Sequence, residues 1–204
     1  MNLALPVSSS LSSLALLLTL SAAGPLPIGA TAPPDVTKLK MKNAADGKPV
    51  SIADVAGKAG TLVVFTCNHC PFARAWASRI VELANGYAKK GVGVILVNSN
   101  DPAPHPEDDL GGTQQNAKSW GLSVPYAVDD TSAVARAFGA TVTPEAFLFD
   151  GRGKLAYHGA IDDSKDASKV QTHYLKDALD AVLAGKAPAR AETKSIGCGI
   201  KLRS

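Results

Sequence analysis

The sequence predicts an α/β fold: a central mixed β-sheet flanked by helices on both faces, with an N-terminal β-hairpin extension. Three observations carry this. Thr61–Thr66 and Val92–Val97 are short, continuous apolar and β-branched runs, as in strands buried on both faces. Between them, Phe72, Trp76, Ile80, Leu83 and Tyr87 recur at helical spacing. Later, Glu145–Phe149 and Lys154–His158 flank Asp150-Gly-Arg-Gly153, which reads as an antiparallel hairpin.

Taken in order, Lys38–Ile52 reads as the N-terminal hairpin, because Asp46-Gly47 supplies the positive φ of a tight turn. The helix over Pro71–Lys90 starts on a proline suited to a first turn and stops at Gly91. Asn98–Gly112 is a loop rich in Pro, Asp and Asn, long enough to suggest a functional or variable insertion. A short helix at Thr113–Trp120, a strand at Tyr126–Val128, a helix at Thr131–Phe138 and a last helix at about Ser168–Leu183 complete the pattern. Alternating strands and helices imply right-handed crossovers and a sheet covered on both sides.

The domain reading is 1–23 a signal peptide, 24–36 a linker, 37–186 the folded domain and 187–204 a tail packing near it. No charge precedes Asp35; Leu11–Ala23 is apolar with serines, and Ser21-Ala-Ala23 offers the small residues a signal peptidase requires, although no Lys or Arg precedes the run. At 13 residues the run falls short of the roughly 20 that span a bilayer. The expected location is periplasmic or secreted, with no stable membrane insertion after cleavage. A net charge of +3 with 19% charged residues and no basic stripe argues against nucleic acid as partner.

Three cysteines give one local pair and one leftover thiol, Cys198. Cys67-Asn-His-Cys70 lies between a buried strand and a helix. That spacing lets two sulfurs close a small disulfide, and a helix N-terminus lowers the pKa of a thiol there. His69 adds a tunable positive charge beside it. Cys67 is thus the expected nucleophile and Cys70 the resolving thiol, both catalytic together with His69. Half of a zinc site, copper capture with a distant His, and a purely structural disulfide stay open as other uses of the motif. Trp76 and Phe72 read as helix core. His105, His158 and His173 read as surface or hairpin residues, and Glu107-Asp108-Asp109 as a solvated loop.

Phe65-Thr-Cys-Asn-His-Cys-Pro-Phe72, Val97-Asn-Ser-Asn-Asp101, Thr143-Pro144 and Ser195-Ile-Gly-Cys-Gly-Ile-Lys201, in this order, make the chain resemble the thioredoxin superfamily. More narrowly they resemble its peroxiredoxin-like branch carrying a thioredoxin-type Cys-x-x-Cys, over about 28–202. The resemblance implies a thioredoxin-like fold and a cis-proline at Pro144 facing the dithiol as part of the catalytic site. It also implies a Thr143 backbone that pairs with an extended substrate, with Asn68 beside Thr143 and Pro144 in substrate binding. Cys198 then becomes a possible resolving thiol, a bond to another protomer, an inert thiol or a metal ligand.

In peroxiredoxins a threonine stands three residues before the peroxidatic cysteine and a proline four further back. With Cys70 as the aligned cysteine, Cys67 and Val63 hold those positions, and Arg74 and Arg136 are candidates for the family's arginine only by proximity. Peroxidase activity is therefore expected to be poor. The function read from the residues is thiol–disulfide oxidoreduction on protein or low-molecular-weight thiols, with an unidentified redox partner, no cofactor and no metal. A thiol peroxidase and a copper-binding delivery protein are the alternatives.

Overall fold

A computed structural model describes residues 24–203. The signal-peptide reading of 1–23 lies outside the described residues. Among those described, no helix is long and apolar enough to cross a membrane.

The elements are α1 (Pro34–Thr37), β1 (Met41–Asn43), β2 (Pro49–Val50), β3 (Gly60–Phe65), α2 (Pro71–Ala88), β4 (Val92–Asn98), α3 (Leu110–Ser119), β5 (Tyr126–Val128), α4 (Ala133–Phe138), β6 (Val142–Thr143), β7 (Glu145–Asp150), β8 (Leu155–Gly159), α5 (Tyr174–Leu183) and β9 (Cys198–Gly199). Seven strands form one sheet in the order β2-β1-β5-β4-β3-β7-β8. The pairs β3·β4 and β4·β5 are parallel, whereas β7 joins β3 antiparallel, with Val63 opposite Ile95 on one side and Phe147 on the other. The sheet is mixed, as expected.

Strand alternation sorts the apolar residues onto two cores. Leu62, Val64, Val94, Leu96 and Leu148 meet Trp76, Ile80 and Tyr87 of α2 and Leu175 and Leu179 of α5. Val63, Phe65, Ile95, Val97 and Phe147 meet Val134 and Phe138 of α4. Both sheet faces are thus covered, which is why Leu62–Phe65 of β3 and Val94–Val97 of β4 are apolar at every position rather than at alternate ones.

The N-terminal hairpin forms with Met41 opposite Val50, and Gly47 takes φ +69° in its turn. It extends the sheet by pairing β1 with β5. Three boundaries differ from expectation. Helix α3 starts at Leu110 because the Asp109 carboxylate caps it, accepting from the Gly112 N–H at 2.7 Å. Helix α4 starts after Ser132, whose φ of +54° is left-handed and breaks any helix through Thr131. Helix α5 starts at Tyr174, since Val170 is extended and separates the short Ala167–Lys169 turn from it. The tail packs on the domain and contributes β9, which pairs with β6 in a separate two-stranded sheet.

Candidate active site

The sheet hands Cys67 to the site directly. After β3 ends at Phe65, Thr66 N–H donates to Val97 O at 2.9 Å, and the chain leaves the sheet. Cys70 is the N-cap of α2 and Pro71 its first residue, so Cys67 stands three residues ahead of the N-cap. Both sulfurs are fully buried and both contact Thr143: Cys67 Sγ lies 3.0 Å from Thr143 Oγ1 and Cys70 Sγ lies 3.6 Å from Thr143 O. The Thr143–Pro144 peptide is cis, as the resemblance implied.

Two expectations about the cysteines are corrected. The disulfide joins Cys70 to Cys198 rather than to Cys67, and Cys67 is a free thiol. The Cys67 thiol is also not acidified; it is pushed up to about 11. Burial is the main cause, aided by the Asp108 carboxylate, and it outweighs hydrogen bonds from Thr143, the Cys70 N–H and Asn100 that favour the thiolate. Position three residues before the N-cap gives Cys67 little of the dipole, which acts within the first turn.

Asp108 organises the loop around this motif. It is fully buried although Glu107 and Asp109 on either side are exposed, so the solvated-loop reading fails at that one residue. The Asn68 N–H donates to Oδ1 at 2.6 Å; the Asn100 amide donates to Oδ2 at 2.8 Å; His69 Nδ1 donates to Oδ2 at 2.5 Å. A carboxylate carries about four lone-pair sites, and here they are used to hold two loops together. His105, expected at the surface, stacks on His69 with ring centroids 3.7 Å apart. Donor atoms of Cys67, His69 and Asp108 all lie within 4.8 Å of one another, a set that could hold a metal ion.

Asn68, expected to bind substrate, has its side chain spent inside the protein. Its amide donates to Glu107 O and Thr113 Oγ1, while its carbonyl accepts from Asn116 and the Tyr126 hydroxyl. It is a brace for the motif. The cis-proline loop has a brace of its own: Glu145 Oε2 accepts from the Thr141 and Val142 N–H groups, and Oε1 pairs with His158 Nε2 at 2.8 Å. His158 therefore lies buried in the hairpin, whereas His173 is exposed as expected.

Phe72 and Trp76 belong to the core side of α2, yet they also line a cavity of about 290 Å³ beside Pro144, with Ile161, Tyr174 and Ile196. Arg74 is exposed, and Arg136 donates to the Thr131 and Arg203 carbonyls; neither arginine donates to a cysteine. Sequence reasoning missed Asp108, Asn98, Asn100 and Glu145. One signal was available: Asn98-Ser-Asn100 directly follows an apolar buried strand, and all three are buried. Polar residues in that setting need partners.

A mixed sheet with two parallel crossovers, a Cys-x-x-Cys after the buried strand β3 and a cis-proline facing it define a protein of thioredoxin-like fold. The chain belongs to the Redoxin family, whose pattern it matches over residues 27–174. It is 26% identical to the thiol-disulfide oxidoreductase ResA of Halalkalibacterium halodurans over 110 residues, 54% of this chain and 58% of that protein. The match therefore spans little more than half the length of that relative. Among solved structures, an uncharacterized conserved protein from Geobacillus kaustophilus superposes with a TM-score of 0.80 at 37% identity, covering 87% of this chain and 93% of that one. A hypothetical protein from Sinorhizobium meliloti gives 0.79 at 33% identity, covering 88% and 96%.

Proposed function

We propose that this chain is a thiol–disulfide oxidoreductase acting on protein or low-molecular-weight thiols outside the cytoplasm. One observation carries the reading: Cys67 and Cys70 both touch Thr143 beside cis-Pro144, at the C-terminal end of a buried parallel strand. In the reduced protein, the Cys67 thiolate attacks one sulfur of a substrate disulfide. The substrate S–S bond breaks, one substrate thiolate leaves, and a Cys67–substrate disulfide forms. Cys70 then attacks Cys67, releases the second substrate thiol and closes Cys67–Cys70, so two electrons have passed to the substrate. Of the groups around the Cys67 sulfur, Thr143 Oγ1 is at hydrogen-bond distance (3.0 Å), and a ring nitrogen of His69, held by Asp108, lies within 4.8 Å. Location outside the cytoplasm draws on the apolar run at Leu11–Ala23 and on the disulfide, which persists in oxidising compartments.

Reduction of insulin disulfides by dithiothreitol tests the reaction. The expected rate is at least about tenfold above dithiothreitol alone, falling to background in Cys67→Ser and Cys70→Ser. A wild-type rate equal to background ends the reading. Mass spectrometry of the chain recovered from an exporting host checks location, with cleavage after Ala23 as the expected result. A second reading, a copper-binding delivery protein, draws on the Cys67, His69 and Asp108 cluster, a thiolate and imidazole set suited to Cu(I). Stoichiometric Cu(I) uptake by the reduced protein, lost in Cys67→Ser and His69→Ala, would favour it.

A further inference from the structure

The tail is not simply packed on the domain; it pairs as a strand with the segment that leads into cis-Pro144. Antiparallel pairing sets Cys198 opposite Thr143 and Gly199 opposite Val142, and the Ile200 N–H donates to Thr141 O at 2.9 Å. Beyond the strand, the Asp101 N–H donates to Lys201 O at 2.6 Å, and the Lys201 N–H donates to Asn100 Oδ1 at 2.8 Å. Asn100 is the same residue that braces Asp108. Ile196, 56% exposed, borders the aromatic cavity beside Pro144. Cys198 itself is bonded to Cys70, within contact of the free Cys67 thiol's own partner, Thr143.

Fit at this edge is demanding at one position. A Cβ on Gly197 would stand 2.1 Å from Thr143 O, whereas one on Gly199 would meet nothing closer than 3.9 Å. The residue before the cysteine must therefore be glycine for the strand to close. Upstream, the tail is anchored independently: the His158 N–H donates to Ala191 O, the Thr193 N–H donates to His158 O, and Thr193 Oγ1 accepts from the Ala160 N–H. Opening would free residues 195–203 while leaving them tethered.

We propose that residues 195–203 are a built-in cap that occupies the docking edge beside Pro144 as a substrate would, and that Cys67 releases it by exchanging Cys70–Cys198 for Cys67–Cys70. This rests on the exchange chemistry proposed above. In the step, Cys67 gives up its proton and attacks Cys70 Sγ as a thiolate. The Cys70–Cys198 bond breaks as Cys67–Cys70 forms, and Cys198 leaves as a thiolate that takes up a proton. One disulfide replaces another and no electrons leave the chain. The kind of partner that then fits is an extended segment with glycine before its cysteine.

The full chain is oxidised, quenched in acid, alkylated and digested with trypsin without reductant. Cleavage at Lys58, Arg74, Lys194 and Lys201 puts Cys67 and Cys70 in peptide 59–74 and Cys198 in 195–201. The wild type is expected to give 59–74 linked to 195–201 as its main product. Gly197→Val, a tail substitution remote from both cores, is expected to lower that product at least tenfold in favour of 59–74 closed on itself. A maleimide added to the oxidised chain without reductant is expected to label Cys198 at least tenfold more slowly in Cys67→Ser than in wild type. Absence of the linked product in wild type, its undiminished formation in Gly197→Val, or equal labelling of Cys198 each overturns the proposal. Linked product and Cys67-dependent labelling in a protein that fails to reduce insulin would uphold the cap and sink only the oxidoreductase reading.

Discussion

The two ends of the chain add strands to the same domain in opposite ways. At the N-terminal end, β1 and β2 extend the seven-stranded sheet beyond β5, and Met41 and Val50 bury their side chains in the core shared with α4. At the C-terminal end, β9 pairs two residues with β6, Gly199 and Lys201 are exposed, and a disulfide supplies the tie. Both satisfy unpaired backbone groups at an edge. The hairpin is held by apolar burial, which is always on. The cap is held by a bond that a neighbouring thiol can move. Burial makes scaffold and exchangeable chemistry makes a gate.

The largest effect that sharpens this contrast is on the free thiol. With Cys67 pushed up to about 11, its thiolate is scarce at neutral pH, so iodoacetamide alkylation of the oxidised chain should accelerate roughly tenfold per pH unit from 7 to 10. In reduced Gly197→Val, where Cys67 is a free thiol and the cap is open, the Cys67 midpoint should fall below that of reduced wild type, because burial is the main cause of the shift. An unchanged midpoint would mean that the cap does not bury Cys67.

Next in size is stability. Cys198→Ser should lose about 2–5 kcal/mol relative to wild type under oxidising conditions, because it opens a loop of 128 residues, and should match wild type in dithiothreitol. Met41→Ala in the hairpin should cost about 2 kcal/mol in both conditions. Guanidinium unfolding of each variant with and without reductant checks the pair, and a redox-sensitive hairpin variant would break the comparison. The smallest effect concerns Asp108. Asp108→Asn removes the negative charge beside Cys67 while keeping the side chain's size, so alkylation at pH 8 should rise about threefold. A slower reaction would show that the carboxylate acts chiefly by orienting His69.

Local chemistry made much of the molecule legible. Apolar runs marked β3 and β4, and helical spacing marked α2. Asp46-Gly47 marked the hairpin turn because only a few residues tolerate the φ of +69° found there. Thr143-Pro144 marked the cis-proline loop. Where Ser132 adopts a left-handed φ and Val170 an extended one, propensity carried no warning, and two helix starts moved.

The order of apolar and polar residues by itself determined the sheet, its helices and the position of the Cys-x-x-Cys, since burial periodicity and turn chemistry act between near neighbours. Tertiary structure decided which sulfurs meet, why Cys67 stays protonated and why Asp108 is inside while Glu107 and Asp109 are not. Those outcomes depend on residues 39 to 128 positions apart in the chain meeting in space, where desolvation and pairing set the chemistry.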